Sequence, residues 1–213
     1  MTPAATPAFR RLPRAVREQQ MLDAAVRVFS RRGYHDASVD EIAETAGISK
    51  PMVYAYLGTK EELFVACLHR EGARLIEAIA GAVHAGLTPD EQFWRGFRAF
   101  FTFVAVHRDG WTVLCRQARA QEPFAAVIDQ LRERMVEVVT ASLTGVSARA
   151  GLRVHELDVA MMARALVGAA EALADWTVVN PGTDPEVTAT RLMNAVWLGA
   201  GQLLHGSTWP PTP

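Results

Sequence analysis

Three capping signals fall between Ser38 and Lys60, and they leave that stretch little freedom to be anything but short helices joined by tight turns. Ser38 is followed three residues on by Glu41, the spacing at which a cap hydroxyl and an acidic side chain each meet the other's unpaired backbone N–H. Gly47 can take the left-handed conformation that ends a helix. Ser49 and Pro51 open a second helix, because proline in a first turn gives up no hydrogen bond, and Gly58 closes it. Thr59 with Glu62 repeats the capping pattern and starts a third. A capped helix of seven or eight residues, a turn at Ala46-Gly47-Ile48 and another short helix have the size and punctuation of a helix-turn-helix.

The rest of the chain also reads as helix. Met21, Leu22, Ala25, Val28 and Phe29 recur at helical intervals and stripe a first helix from about Arg14 to Arg32, which Gly33 stops. The helix capped by Thr59 reaches about His84, and a further box at Thr88-Pro89-Asp90-Glu91 opens one that runs to about His107. A short helix over 109–120, a longer one from near Pro123 to before Gly151, and two more over 155–179 and 185–205 complete the series. Asn180-Pro181-Gly182 breaks the last two apart. No run alternates with a period of two, so the expected class is all-α with about nine helices. The expected layout is a flexible basic arm over 1–13, a helix-turn-helix domain over 14–59, a helical domain over 60–206 and a disordered tail over 207–213. Prolines mark both ends: Pro3, Pro7 and Pro13, then Pro210, Pro211 and Pro213.

Charge separates the two parts. Residues 1–60 hold nine Lys and Arg against six Asp and Glu, a net +3, so the remainder of a chain with net charge −1 carries −4. Only the front of the molecule is expected to face a polyanion. Two cysteines, Cys67 and Cys115, are too few for a disulfide framework or a structural zinc site, and the six histidines show no metal spacing. No cofactor or metal is expected. With no hydrophobic signal core in residues 1–11 and no apolar run near the ~18 residues of a membrane span, the expected location is the cytoplasm.

Within the helix-turn-helix, Val39, Ile42 and Ala43 form the inner face of one short helix, and Ile48, Val53 and Leu57 fill the core from the other. The outward side of the second short helix then carries Lys50, Pro51, Met52, Tyr54 and Tyr56. A lysine can neutralise a phosphate or donate to a guanine edge, a proline and a methionine can meet a thymine methyl, and tyrosine hydroxyls can reach phosphate oxygens. Helix starts at Ser38 and Thr59 offer backbone N–H groups, with Lys60 adding charge. The plainer alternative is that Tyr54 and Tyr56 only pack against the helix that follows.

The segments Ser38-Val39-Asp40-Glu41-Ile42-Ala43, Ala46-Gly47-Ile48-Ser49-Lys50-Pro51 and Tyr54-Ala55-Tyr56-Leu57, closing with Lys60-Glu61-Glu62-Leu63, resemble the DNA-binding signature of TetR-family transcriptional regulators. The resemblance spans about residues 14–68. It implies a homodimer whose recognition helices read a palindromic operator in double-stranded DNA, released when a small ligand enters the larger domain. It implies DNA contacts at Ser38, Ser49, Lys50, Tyr54, Tyr56, Thr59 and Lys60, with Pro51 and Met52 nearest base edges. Leu57 departs from the family's usual Phe, at a position facing the junction with the next helix. The arm with Arg10, Arg11 and Arg14 resembles extended N-termini that add minor-groove or phosphate contacts; a solubilising tail is the alternative.

Six of the 17 aromatic residues sit within eleven positions: Phe93, Trp94, Phe97, Phe100, Phe101 and Phe103. A helix apolar over most of its circumference is buried in a bundle or lines an apolar pocket. The family resemblance puts a ligand site among these middle helices, bordered by Phe97, Phe101, Trp111, Met135, Met162 and Trp176, with Arg116, Gln117 or Glu122 fixing a polar group. Core packing is the competing reading for each of these residues. An interior of this kind suits a fatty-acyl chain, a lipophilic drug, or a polyketide or steroid-like metabolite. In the last two helices, Ala165, Gly168, Ala169 and Ala172, then Val196, Gly199, Ala200 and Leu203 beside Trp197, give small apolar faces for a homodimeric four-helix bundle. The leading expectation is a ligand-responsive repressor and not an enzyme. The alternative is an all-α carrier or enzyme acting on a hydrophobic small molecule, and against it stands the absence of a Gly-rich loop, HExxH or GxSxG.

Overall fold

The computed structural model describes residues 13–84, 86–118, 122–149 and 154–204. Among them lie nine α-helices: α1 (Arg14–Asp36), α2 (Val39–Ala46), α3 (Lys50–Leu57), α4 (Lys60–Ala82), α5 (Pro89–Val106), α6 (Arg108–Thr112), α7 (Glu122–Arg149), α8 (Glu156–Val179) and α9 (Pro185–Leu204). No strand occurs among the described residues. The class is all-α, as the periodicity requires. Residues 1–12 with Arg10 and Arg11, and the 207–213 tail, fall outside the described residues, as do the side chains of Trp197, Gly199, Ala200 and Leu203.

The chain divides into two compact units, one ending at Cys67 and the other starting at Leu68. The division falls inside α4, not at its start as the capping pattern suggests. The first two turns of α4 bury Leu63, Phe64 and Cys67 completely or nearly so, and this apolar surface belongs to the first unit. Phe64 stands edge-on to Phe29 at 4.8 Å and to Tyr34 at 5.1 Å. Around them are Met21, Leu22 and Ala25 of α1, Val39, Ile42 and Ala43 of α2, and Val53 of α3, all buried. Ile48 and Leu57 are half-buried at its margin. Gly33 breaks the helical geometry of α1 with φ 77° and ψ 172°, so the turn carrying Tyr34 swings back onto Phe64.

In the second unit α5 is the central element. Phe100, Phe101, Phe103 and Val104 share one buried cluster with Leu75 of α4, Trp111 of α6, Ala170 and Ala174 of α8, and Ala189 and Leu192 of α9. Trp111 is fixed by its indole N–H donating to Asp175 Oδ1 at 2.9 Å and by Phe100 edge-on at 5.3 Å. A second cluster joins Val136 and Leu143 of α7 to Val159, Ala163, Leu166 and Val167 of α8. The expected short helix after α5 is two pieces: α6, then a wider π-helical turn over Val113–Gln117.

Candidate DNA-binding face and ligand cavity

The helix-turn-helix is held by its caps. Ser38 Oγ accepts the Glu41 backbone N–H at 3.1 Å, and Gly47 ends α2 at φ 67°. Only this half of the expected box at Ser38 is formed, since Arg32 Nε engages the Glu41 carboxylate at 3.3 Å. At the start of α4 the box is complete. Thr59 N–H donates to Glu62 Oε2 at 2.7 Å, and Glu62 N–H donates to Thr59 Oγ1 at 3.1 Å. The Thr59 backbone N–H, and then the Thr59 side chain, hold the Glu62 carboxyl below its usual pKa. Gly58 permits the arrangement: its φ is 70°, and a Cβ there would collide with the Glu62 carboxylate.

The nine residues expected at DNA fall around α3, in five different states. Ser49, Pro51 and Tyr54 are exposed and make no side-chain bond across the unit; Tyr54 is 45 % exposed. Lys50 is exposed but its ammonium lies 2.8 Å from Asp40 Oδ2, an ion pair that raises the lysine pKa. Met52 and Tyr56 are half-buried and covered from α1: Arg17 Nη1 lies 3.5 Å from Met52 Sδ, and the Arg14 guanidinium sits 5.3 Å above the Tyr56 ring. Ser38 and Thr59 spend their hydroxyls on caps, which leaves backbone N–H groups of the helix starts as their contribution. Lys60 turns back on the unit, donating to the His35 carbonyl at 2.9 Å and standing 4.8 Å over the Tyr34 ring.

Sequence reasoning did not assign Asp40 or Arg17 a place beside these residues. Their partners lie 10 and 35 positions away, so no local spacing signals them. Arg14, expected in the arm, is the first residue of α1 and covers Tyr56.

A cavity of about 310 Å³ lies within the second unit, walled by α4, α5, α6, α7 and α8. Phe97, Trp111 and Met135 line it as expected. Phe101 does not, because it is turned into the core, 2 % exposed and edge-on to Phe100 at 5.1 Å. Met162 packs against the α7–α8 cluster instead. Trp176 is 49 % exposed: the inner face of α8 is taken by Leu166, Val167, Ala170 and Ala174, which leaves position 176 outside. Arg116 is exposed on the π turn and Gln117 is half-buried away from the cavity wall, while the Glu122 side chain is outside the described residues.

The wall also includes residues that sequence reasoning missed: Ile79 of α4 and Val83 just after it, Phe93 and Phe100 of α5, Leu131 of α7, and the charged pair Arg132 and Glu171. Gln92 spends its polar atoms on structure, its amide donating to the carbonyls of His84 and Leu87 and its oxygen accepting from Arg149. Ser142 Oγ donates to the Val138 carbonyl one turn back. Among the described residues no group of three or more His, Cys, Asp or Glu is placed to hold a metal ion, and no helix is long and apolar enough to cross a membrane.

Comparison with known proteins agrees with both units. Residues 21–67 match the family described as bacterial regulatory proteins, tetR family, and residues 89–199 match the tetracyclin repressor-like C-terminal domain, half of the chain by itself. The chain is 33% identical over 150 residues to the HTH-type transcriptional activator FasR of Mycolicibacterium smegmatis, a stretch covering 68% of this chain and 65% of FasR, just under two thirds of that protein. A crystal structure of a TetR-like transcriptional regulator from Rhodococcus sp. RHA1 superposes with a TM-score of 0.76 at 46% identity, covering 90% of this chain and 99% of that one. The regulator FadR from Bacillus subtilis, solved in complex with stearoyl-CoA, shares the fold with a TM-score of 0.75 at 20% identity, covering 84% of this chain and 96% of that one. A capped helix-turn-helix exposing α3, joined through α4 to a helical unit with an apolar cavity, is thus accompanied by family matches along both units: the chain is a DNA-binding transcriptional regulator of the TetR family.

Proposed function

We propose that the protein is a repressor that binds a palindromic operator as a homodimer and releases it when a hydrophobic, chain-like molecule fills the cavity of the second unit. The observation that carries this reading is the cavity itself, an apolar space walled partly by the same helix, α4, whose first turns are built into the helix-turn-helix. A ligand there acts on the C-terminal turns of α4, and a displacement of that helix alters the separation of the two recognition helices. Two half-sites one turn apart demand a separation of about 34–36 Å, so a small change suffices to lose one of them.

The length of the apolar wall suits a chain-like molecule. Its wall runs from Gly72 to Ala80 along α4, about 12 Å at the helical rise, and continues to Val83 just past the helix end. The fold-sharing FadR, solved with stearoyl-CoA, is consistent with an acyl effector.

The dimer reading rests on α8. Leu157, Met161, Trp176 and Val179 are each roughly half or more exposed, and with Ala165 and Ala172 they form one stripe along the helix. Four exposed large apolar residues in a single line mark a surface that is covered in the working protein. On α9, Val187 is also exposed. The protein acts in the cytoplasm, on the chromosome. The test is a titration of the operator complex with long-chain acyl compounds: release at stoichiometric ligand supports the reading. Ligand binding that leaves the complex intact, or tightens it, replaces the repressor reading with an activator of the kind FasR is named for.

A further inference from the structure

We infer that Arg132 selects effectors whose chain ends in an anionic head group, and that Glu171 acts as the gate on that selection; this rests on the reading of the cavity as the effector site. Among the described residues, Arg132 and Glu171 are the charged side chains in a wall that is otherwise mostly apolar. The other hydrogen-bonding side chains there, Gln92 and Ser142, are spent on carbonyls and on Arg149. Cys115 is a small, weakly polar group. An amphiphile entering the cavity therefore meets one strongly polar locus.

The two charges are placed unequally. Arg132 Nε lies 3.3 Å from Glu171 Oε2, and the arginine side chain is 44 % exposed against 16 % for the glutamate. The guanidinium is thus at the watery end of the pair, and the carboxylate is further in. A guanidinium carries five N–H donors in a planar fork, and the Nε contact with Glu171 uses one of them. It can take a carboxylate or phosphate without leaving Glu171. A cationic head has to displace Arg132 to reach Glu171, which strands the guanidinium. The outer arginine therefore favours an anion, and the inner glutamate limits that preference by repulsion.

Palmitate, methyl palmitate and hexadecylamine share one chain length and differ in the charge of the head, so their binding to the full-length protein, freed of co-purified lipid, isolates the effect. The expected order is palmitate first, tighter than the ester by about tenfold, the lower return of a charge-assisted hydrogen bond. Arg132→Met should remove the preference, palmitate falling to or below the ester because repulsion from Glu171 is no longer offset. Glu171→Gln should widen the gap between acid and ester. Equal binding of acid and ester by the native protein, or a preference that survives Arg132→Met, overturns the role of Arg132. Unchanged discrimination in Glu171→Gln overturns the gate. If none of the three compounds binds, the effector-site reading of the cavity fails instead.

Discussion

Lys50 enters the DNA complex already holding a partner. Its ammonium is 2.8 Å from Asp40 Oδ2, and both side chains are exposed, at 44 % and 69 %. If Lys50 meets a phosphate, Lys50→Ala removes one neutralised phosphate per protomer, and two from a dimer. Each phosphate contributes about 0.9 to the slope of log K against log salt, so the variant's slope should be shallower by about 1.8. Between 50 and 200 mM salt, a fourfold change, the native protein should then lose about twelvefold more affinity than the variant. Asp40→Asn acts oppositely: it frees the lysine and takes a negative charge away from the DNA, so affinity should rise at every salt concentration. In the Lys50→Ala background the same Asp40 change should do less, because only its repulsion of phosphates is left to remove. Fluorescence anisotropy on an operator duplex, repeated across salt, measures all four proteins. An unchanged slope in Lys50→Ala, or equal Asp40→Asn effects in both backgrounds, refutes the phosphate contact.

Other expectations follow from single contacts. Gly96 lines the cavity, and a Cβ there would meet Val83 Cγ2 at a comfortable 3.7 Å, so Gly96→Ala should stabilise α5 by about 1 kcal/mol in thermal unfolding. The larger Gly96→Leu should occupy cavity space and uncouple DNA binding from ligand, read as DNA binding that palmitate does not change. Phe64 is fully buried between Phe29 and Tyr34, so Phe64→Ala should cost about 3–5 kcal/mol and abolish DNA binding while the dimer, judged by sedimentation, remains. Met161→Glu on the exposed stripe of α8 should shift the protein towards monomer in the same experiment. The Glu62 and Glu91 carboxyls are held below 4.5 by the backbone N–H groups of Thr59 and Thr88, then by their side chains. A depressed carboxyl pKa gives stability that is full above the unfolded value and is lost as pH falls through the folded one. Glu62→Gln should therefore flatten the decline of melting temperature below about pH 4.5, with little effect at pH 7 on that slope.

What the sequence makes legible is what local geometry decides. Gly47, the Thr59–Glu62 box and the Pro51 start are each set by bonds within four residues, and each lies where its residue types place it. The inner faces of α2 and α3 are also legible, since a short helix has one buried side. The exposure of Ala165 and Ala172 on α8 agrees with the small-residue face expected there, although Ala169 turns inward against the α5 cluster. The cavity wall is another matter. Helix α5 is apolar nearly all round, so its composition does not distinguish Phe97, at the cavity, from Phe101, in the core, only four positions on. Arg132 and Glu171, on different helices 39 positions apart, are brought together only by how α7 and α8 pack. The same holds for Lys60, whose charge points to DNA in the sequence while its ammonium rests on His35 and Tyr34.

The most direct test is selection from a pool of random duplex DNA by the full-length, lipid-free protein at two salt concentrations. The account predicts enrichment of an inverted repeat, bound by a dimer, with affinity that falls steeply as salt rises. It also predicts that Tyr54→Phe weakens binding to every selected sequence while changes at Met52 alter which sequences are selected. Failure of the lipid-free protein to enrich any inverted repeat would contradict the assignment of α3 as the reading helix.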